Sequence, residues 1–515
     1  MSNTYVTLPR SENQVRGLAQ YALDFLANTG TGPDETVYRM VERFHVDSIA
    51  CGVSALACGT NAPRVLRAEA CDYAVTNPRR GVPLLGSRLR VAPEKAVVAN
   101  SSAVREWDSN GTNFGYNPTR GHTRGEFGHN DFYPVAVAAA QLAGLDGRQT
   151  LRAMILLDEI RGRLAEVYGL KEYKIDHVVH GAIASAVTYG AVLGATVDQI
   201  ESAVGLVVAH YIPFRAIRHG KQLSDSKGAS AAISAEVAVL SMQRAMRGFV
   251  GPADVFRNPE AIFCLFEKPA VKGESPFELV LGRSGNDFAV MGMHFKLGLY
   301  EHQSAGAIHG LIALLAKHPQ LLADEKRIKQ LRIDIYEPAF HIIGDPAKRD
   351  PRTRQSADHS MVYIIATLLR KALEQQSDQR SPRDERVLWR DLMLSPADYD
   401  DAALVHPLTR SLIDRIAFRH GGPEYDARYP DGIPTSLEIE HAELGAVSSG
   451  LVMYPVGHAR NESGLLDELL AHKFKLLANL AVDDADGLYG RFTNLAEKSA
   501  SEIASLYDFT IRGVE

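Results

Sequence analysis

The chain has 515 residues, 45% hydrophobic and 23% charged, with a formal net charge of −6. This is the composition of a soluble globular protein with length for two to four domains. It excludes a nucleic-acid binder built on a basic stripe, and no run of about 18 apolar residues offers a membrane span.

The four cysteines, Cys51, Cys58, Cys71 and Cys264, form no CxxC pair. Structural zinc, a cysteine-held iron–sulfur cluster and a disulfide framework are therefore not expected, which fits a reducing compartment. The opening MSNTYVTLPRSENQ is polar and does not read as a signal peptide. The expected location is cytoplasmic.

Residues 12–30 and 34–60 read as helices, the second with Val37, Met40, Val41, Phe44 and Ile49 at helical spacing after a Pro33–Asp34 start signal. Residues 63–74 continue the pattern, and 79–94 read as a short extended excursion. A helix-compatible segment, VAPEKAVVANSSAVRE, then leads into WDSNGTNFGYNPTRGHTRGEFGHNDFYP, residues 107–134, and the apolar VAVAAAQLAGL follows. A connection of that length and polarity between two buried helices is usually functional or disordered. Its aromatics, Trp107, Phe114, Tyr116, Phe127, Phe132 and Tyr133, argue against disorder, which leaves an ordered loop lining a site or a structural loop whose polar groups satisfy one another.

Further helices are predicted over 148–168, 177–193, 196–208 and 226–248. Thr196 with Gln199 resembles a capping box, and Gly248 ends the last of these helices. Near residue 325 the pattern changes: Ile328, Leu331, Ile333 and Ile335 alternate as in a strand. TSLEIEHAELGAVSSGLVMYPVG reads as a hairpin, with helices at 304–317, 359–375 and 408–418 between. Helical pattern returns from Leu465. The expected fold is mainly α: an all-helical domain (1–287 plus 456–515) interrupted by a smaller α+β lid domain (288–455).

The chain lacks GxGxxG, a Walker loop and GxSxG. The groups left to carry chemistry are His122 and His129 in the loop, the cluster Arg215, Arg218, His219, Lys221 and Lys227, Lys296 in an apolar context, His359 with Ser360 and Tyr363, and His458 with Arg460. Singly, each also reads as an ordinary polar residue. Together they suggest a cationic pocket at a domain junction. There Arg and Lys hold carboxylates, and a His, Tyr or Lys moves a proton next to one.

Several stretches, in order along the chain, resemble the MmgE/PrpD family. WDSNGT is similar to the family's WDFNDT, and IDHVVHGAIASAV to its LDHV…ASTAV segment. RAIRHGKQLSDSKGASAA, FKLGLYEHQSA, DPRTRQSADHSMVYIIA and YPVGHAR also have counterparts there. The resemblance implies a helical domain with a lid-like α+β domain, a homodimer, and a site between domains that needs no metal or other cofactor. It implies catalytic roles for Asp108, a loop histidine (His122 or His129), His177 and Tyr363. It implies substrate contacts from Thr112, Arg218, Lys227 and Lys296.

Its dehydratase branch, favoured by YPVGHAR and RAIRH, implies a hydro-lyase that converts 2-methylcitrate or a similar tricarboxylate to 2-methyl-cis-aconitate. Decarboxylation of cis-aconitate and epimerisation of a dicarboxylate are alternatives on the same scaffold. An inactive polycarboxylate-binding protein is an alternative of another class. Three departures bear on the substrate: Gly111 replaces the second acidic residue of the loop motif, the loop from Thr112 to Asp131 is long, and the residues after either histidine differ.

Overall fold

The computed structural model describes residues 4–27, 30–77, 79–112, 115–124, 128, 130–218, 222–375 and 383–514. The chain is mainly helical, with small sheets. The helices fall close to where the apolar periodicity places them, at Gln14–Ala27, Glu35–Ala57, Asn61–Cys71, Pro93–Arg105 and Tyr133–Ala143, then at Gly147–Val167, Val178–Val192, Val197–His210 and Asp225–Met246. The Thr196–Gln199 capping box is formed, with the Thr196 side chain accepting from the Gln199 backbone N–H. Asp146 and Gln149 make a second one. Gly248, at φ +94°, supplies the left-handed turn that ends the Asp225–Met246 helix. Ala229, Ala231, Ala232, Ala235 and Ala238 on that helix are buried, so its backbone lies close to the Pro93–Arg105 and Val178–Val192 helices.

The later part of the chain carries one four-stranded sheet. Ile328–Ile335 pairs in parallel with Ile416–His420 and antiparallel with Thr435–His441, which pairs with Gly445–Ser448. The alternation at Ile328, Leu331, Ile333 and Ile335 marks the buried positions of the central strand. Helix Ala305–Lys317 packs on this sheet and on helix Met361–Glu374.

Two local expectations differ. The helix expected at 408–418 stops at Ile413, and the chain re-enters the sheet as Ile416–His420. Its apolar spacing suits a helix, but the backbone of Leu331–Ile335 offers it a parallel ladder. Tyr5–Leu8 pairs with Leu279–Gly282, and Val82–Pro83 with Arg90–Val91, so the first part of the chain is not purely helical. Strands of four and two residues are too short to show a period.

From Leu466 the chain turns back. Helix Leu466–Ala478 packs against Glu35–Ala57 and brings a lysine, Lys473, beneath the loop that follows Arg105. Among the described residues no helix is long and apolar enough to cross a membrane.

Candidate active site

The loop after the Pro93–Arg105 helix is pinned at both ends. Trp107 is buried and its indole Nε1 donates to Ser54 Oγ at 2.9 Å. Ser109 Oγ donates to the Gly298 carbonyl at 2.8 Å, and Thr112 forms a bridge with His294. Phe132 and Tyr133 are buried where the next helix begins. These anchors hold Asp108 and Thr112 at a cavity of about 170 Å³. Arg105, His177, Arg215, Arg218 and Lys227 also line it from the first part of the chain. Lys296, Glu301, His302, Gln303, Lys348 and His359 line it from the later part. Six basic side chains thus face two carboxylates, Asp108 and Glu301.

Asp108 is the centre of the charge network. Its carboxylate accepts from Lys296 Nζ in a close ion pair and lies 2.5 Å from His359 Nε2. Lys227 Nζ and Arg105 Nη2 each stand 3.6 Å away. On its other ring nitrogen, His359 Nδ1 meets Lys227 Nζ at 2.7 Å and contacts Asp358 closely. Arg354 holds the far side of Asp358 at 3.0 Å, pairs with Glu106 and lies over the Trp107 ring. The segment around His359 is thereby fixed to the segment around Asp108.

Burial sets the protonation of this cluster. It pushes Lys227 down to about 7, although Asp358 and Asp108 favour the ammonium. Burial also lowers Lys296 and Lys348, again against nearby carboxylates. His177 and His302 are held well below the ordinary histidine range by burial, and adjacent cations push in the same direction. Both are neutral at pH 7. Burial would raise Asp176, but Arg218 overrides it and holds the carboxylate low. Arg218 Nη2 also donates to His177 Nε2 at 3.1 Å. Asp131, raised by burial, lies 3.7 Å from Arg105 and 3.6 Å from Arg161 and steadies the guanidinium that lines the cavity.

Of the nine residues given roles by the family resemblance, six meet here: Asp108, Thr112, His177, Arg218, Lys227 and Lys296. Arg215 and His359, singled out from the residues themselves, line the cavity as well. His122 does not line the cavity. Its Nδ1 lies 3.1 Å from Glu166 Oε2, beside the buried Arg163. His129 lies outside the described residues, as do His219 and Lys221. Tyr363 is buried away from the cavity, donating its hydroxyl to the Asp398 carbonyl at 2.7 Å, and burial pushes it up to about 12. His458 and Arg460 border a different, smaller cavity.

Sequence reasoning missed Arg105, Glu301, His302, Gln303 and Lys348. His302 and Gln303 stand within the FKLGLYEHQSA stretch and were legible there. Lys348, in DPAKRD, carries no pattern. Gly111 is explained by packing: a Cβ there would lie 2.0 Å from Asn130 Oδ1 and 2.4 Å from the Phe44 ring. The position faces the interior, so the missing acidic residue takes no group away from the cavity. Among the described residues no cluster of three or more His, Cys, Asp or Glu could hold a metal ion.

The fold and site define a helix-rich protein whose cation-lined cavity suits a small polyanion. Sequence comparison places it further. The MmgE/PrpD N-terminal domain matches residues 16–272 and the MmgE/PrpD C-terminal domain residues 300–389. The chain belongs to the MmgE/PrpD family. It is similar to the 2-methylcitrate dehydratase of Salmonella typhi, 24% identical over 489 residues covering 92% of this chain and 91% of that protein. The 2-methylcitrate dehydratase of Cupriavidus necator is 25% identical over 458 residues, covering 85% and 84%. A fungal alkylcitrate dehydratase is 21% identical over 526 residues, covering 99% and 96%.

Proposed function

We propose that this protein is a hydro-lyase that dehydrates 2-methylcitrate or a related alkyl-substituted tricarboxylate. One observation carries the reading: Lys227, pushed down to about 7 by burial, lies 2.7 Å from His359 and 3.6 Å from Asp108 inside a cavity lined by five further lysine and arginine side chains. Arg105, Arg215, Arg218, Lys296 and Lys348 would hold three carboxylates, and guanidinium groups do so in a bidentate manner. Leu223, Ile342, Ile343, Ala347 and Pro351 give the cavity an apolar wall, which suits an alkyl substituent.

In this reading neutral Lys227 takes the proton from the carbon that bears the methyl group, next to a carboxylate. The C–H pair forms the new double bond as the neighbouring C–O bond breaks. The hydroxyl leaves as water with the Nε2 proton of His359, which Asp108 otherwise holds. His359, whose Nδ1 and Nε2 each face a carboxylate oxygen and so both carry a proton, is left neutral with its Nδ1 proton hydrogen-bonded to Asp358. Once product has left, Lys227 gives up the proton it took and His359 regains one at Nε2 by exchange with solvent. Charge building on the carboxylate is stabilised by fixed cations, the largest usual source of such catalysis. His359 takes the role first sought in a loop histidine, because among the described residues it is a histidine in contact with Asp108.

Proton NMR of the protein with 2-methylcitrate, citrate or cis-aconitate in deuterated buffer tests this. Loss of 2-methylcitrate with growth of a methylaconitate signal supports the proposal. Carbon dioxide release from cis-aconitate, or deuterium entry without net change, would assign a different reaction to the same cavity. No turnover and no binding of any tricarboxylate refutes the proposal.

A further inference from the structure

Lys473 lies on the C-terminal helix Leu466–Ala478, outside both matched family segments. It is 1% exposed, yet its ammonium is fully engaged. Nζ donates to Asp47 Oδ1 at 2.6 Å, to the Ser109 carbonyl at 2.6 Å and to the Lys296 carbonyl at 2.8 Å. Ser109 follows Asp108, and Lys296 is the residue whose side chain pairs with Asp108. One buried cation therefore ties together the backbones that carry the two halves of the central ion pair, and Asp47 on helix Glu35–Ala57 balances its charge.

We propose that Lys473 is a positioning residue of the active site, holding the Asp108 loop and the Lys296 segment at the separation the reaction needs. The proposal rests on the reading of the cavity given above. A buried lysine is a costly way to join two segments, since an apolar side chain would fill the space without desolvating a charge. An apolar residue cannot, however, donate to two carbonyls that different segments bring to one point. Lys473 also bears electrostatically on Lys296, whose ammonium it disfavours. Through Lys473 the C-terminal return of the chain reaches the Asp108–Lys296 pair from outside the cavity lining.

The test compares three variants of the full-length protein: Asp47→Asn, Lys473→Gln and the double change Asp47→Asn with Lys473→Met. Asp47→Asn removes the ion pair but leaves both carbonyl bonds in place. The double change removes the tether without stranding a buried carboxylate. For samples matched in folded fraction by circular dichroism, tricarboxylate turnover should fall less than threefold in Asp47→Asn. It should fall thirtyfold or more in the double variant, chiefly in kcat and with a displaced pH profile. Lys473→Gln, which keeps a donor, should lie between them, and it is the variant to read if the double change does not fold. A folded double variant, or failing that a folded Lys473→Gln, with wild-type kcat and pH profile overturns the proposal.

If the wild-type protein turns over no tricarboxylate, the functional reading fails separately. The positioning role is then read from the pH dependence of amine labelling at Lys296, by mass spectrometry. A changed curve in the double variant, or in Lys473→Gln if the double change does not fold, supports positioning, and an unmoved one overturns it.

Discussion

Asp358→Asn gives the sharpest test of Lys227 as the base. Asp358 is the leading charge that favours the Lys227 ammonium, its Oδ1 standing 3.8 Å from Nζ. At that separation and an effective dielectric near 20, the attraction is about 4 kcal/mol, equivalent to about three pH units. Arg354 and His359 share the same carboxylate, so the net loss is smaller, about 1 to 2 pH units. Removing a carboxylate disfavours the ammonium, so Lys227 becomes neutral at lower pH. The acid limb of kcat/KM, near pH 7 in the wild type, should therefore move downward by that amount. The variant would keep a larger share of its own maximal rate at pH 6 than the wild type does. The plateau itself should drop, because His359 loses a partner, so the midpoint and not the height is the readout. The assay is initial-rate dehydration of 2-methylcitrate from pH 5 to 9, followed by the rise of the conjugated product. A midpoint that stays in place or moves upward would show that Lys227 is not the group that must lose its proton.

Stability should follow the same lysine. The unfolded chain keeps the Lys227 proton up to the ordinary lysine value of about 10.4, whereas the folded protein releases it near 7. Between these values the unfolded state binds more protons, so stability rises with pH, by up to about 2 to 3 kcal/mol from pH 7 to 9. Lys227→Met should lose that increment in thermal unfolding, and an equal pH response in both proteins would contradict it. His122→Ala should change kcat/KM less than threefold, because His122 sits against Glu166 and does not line the cavity. A hundredfold loss in steady-state kinetics would return the loop histidine to the mechanism. Gly111→Ala should destabilise by about 1 to 3 kcal/mol, as overpacking of a filled interior does. Chemical denaturation with an unchanged midpoint would refute the contact with Asn130 and Phe44.

Much of this protein was written locally. The 3.6-residue spacing of Val37, Val41 and Phe44 needs no partner to be seen, and neither does the Thr196–Gln199 box. The helical frame follows from such patterns because backbone hydrogen bonds within a helix close over four residues. Arg218, Lys227 and Lys296 were legible because each is a charge in a stretch of small or apolar residues, where it asks for a partner. Asp108, Thr112 and His177 were legible through the resemblance of WDSNGT and IDHVVHGAIASAV to the family's stretches.

Tertiary structure alone decided which of these groups meet. Nothing local separates His122 from His359, yet only His359 is brought against Asp108. Nor could Tyr363 be told from a cavity-lining tyrosine until its hydroxyl was seen to donate to the Asp398 carbonyl. The start of the strand Ile416–His420 read as the end of a helix because its ladder partner, Leu331–Ile335, is more than eighty residues earlier. Lys473 lies further still from what it holds, on a helix whose own spacing explains its fold without it. Spacing along the chain records which face of an element is buried. It does not record what the buried face touches, and the chemistry of this site is set by those contacts.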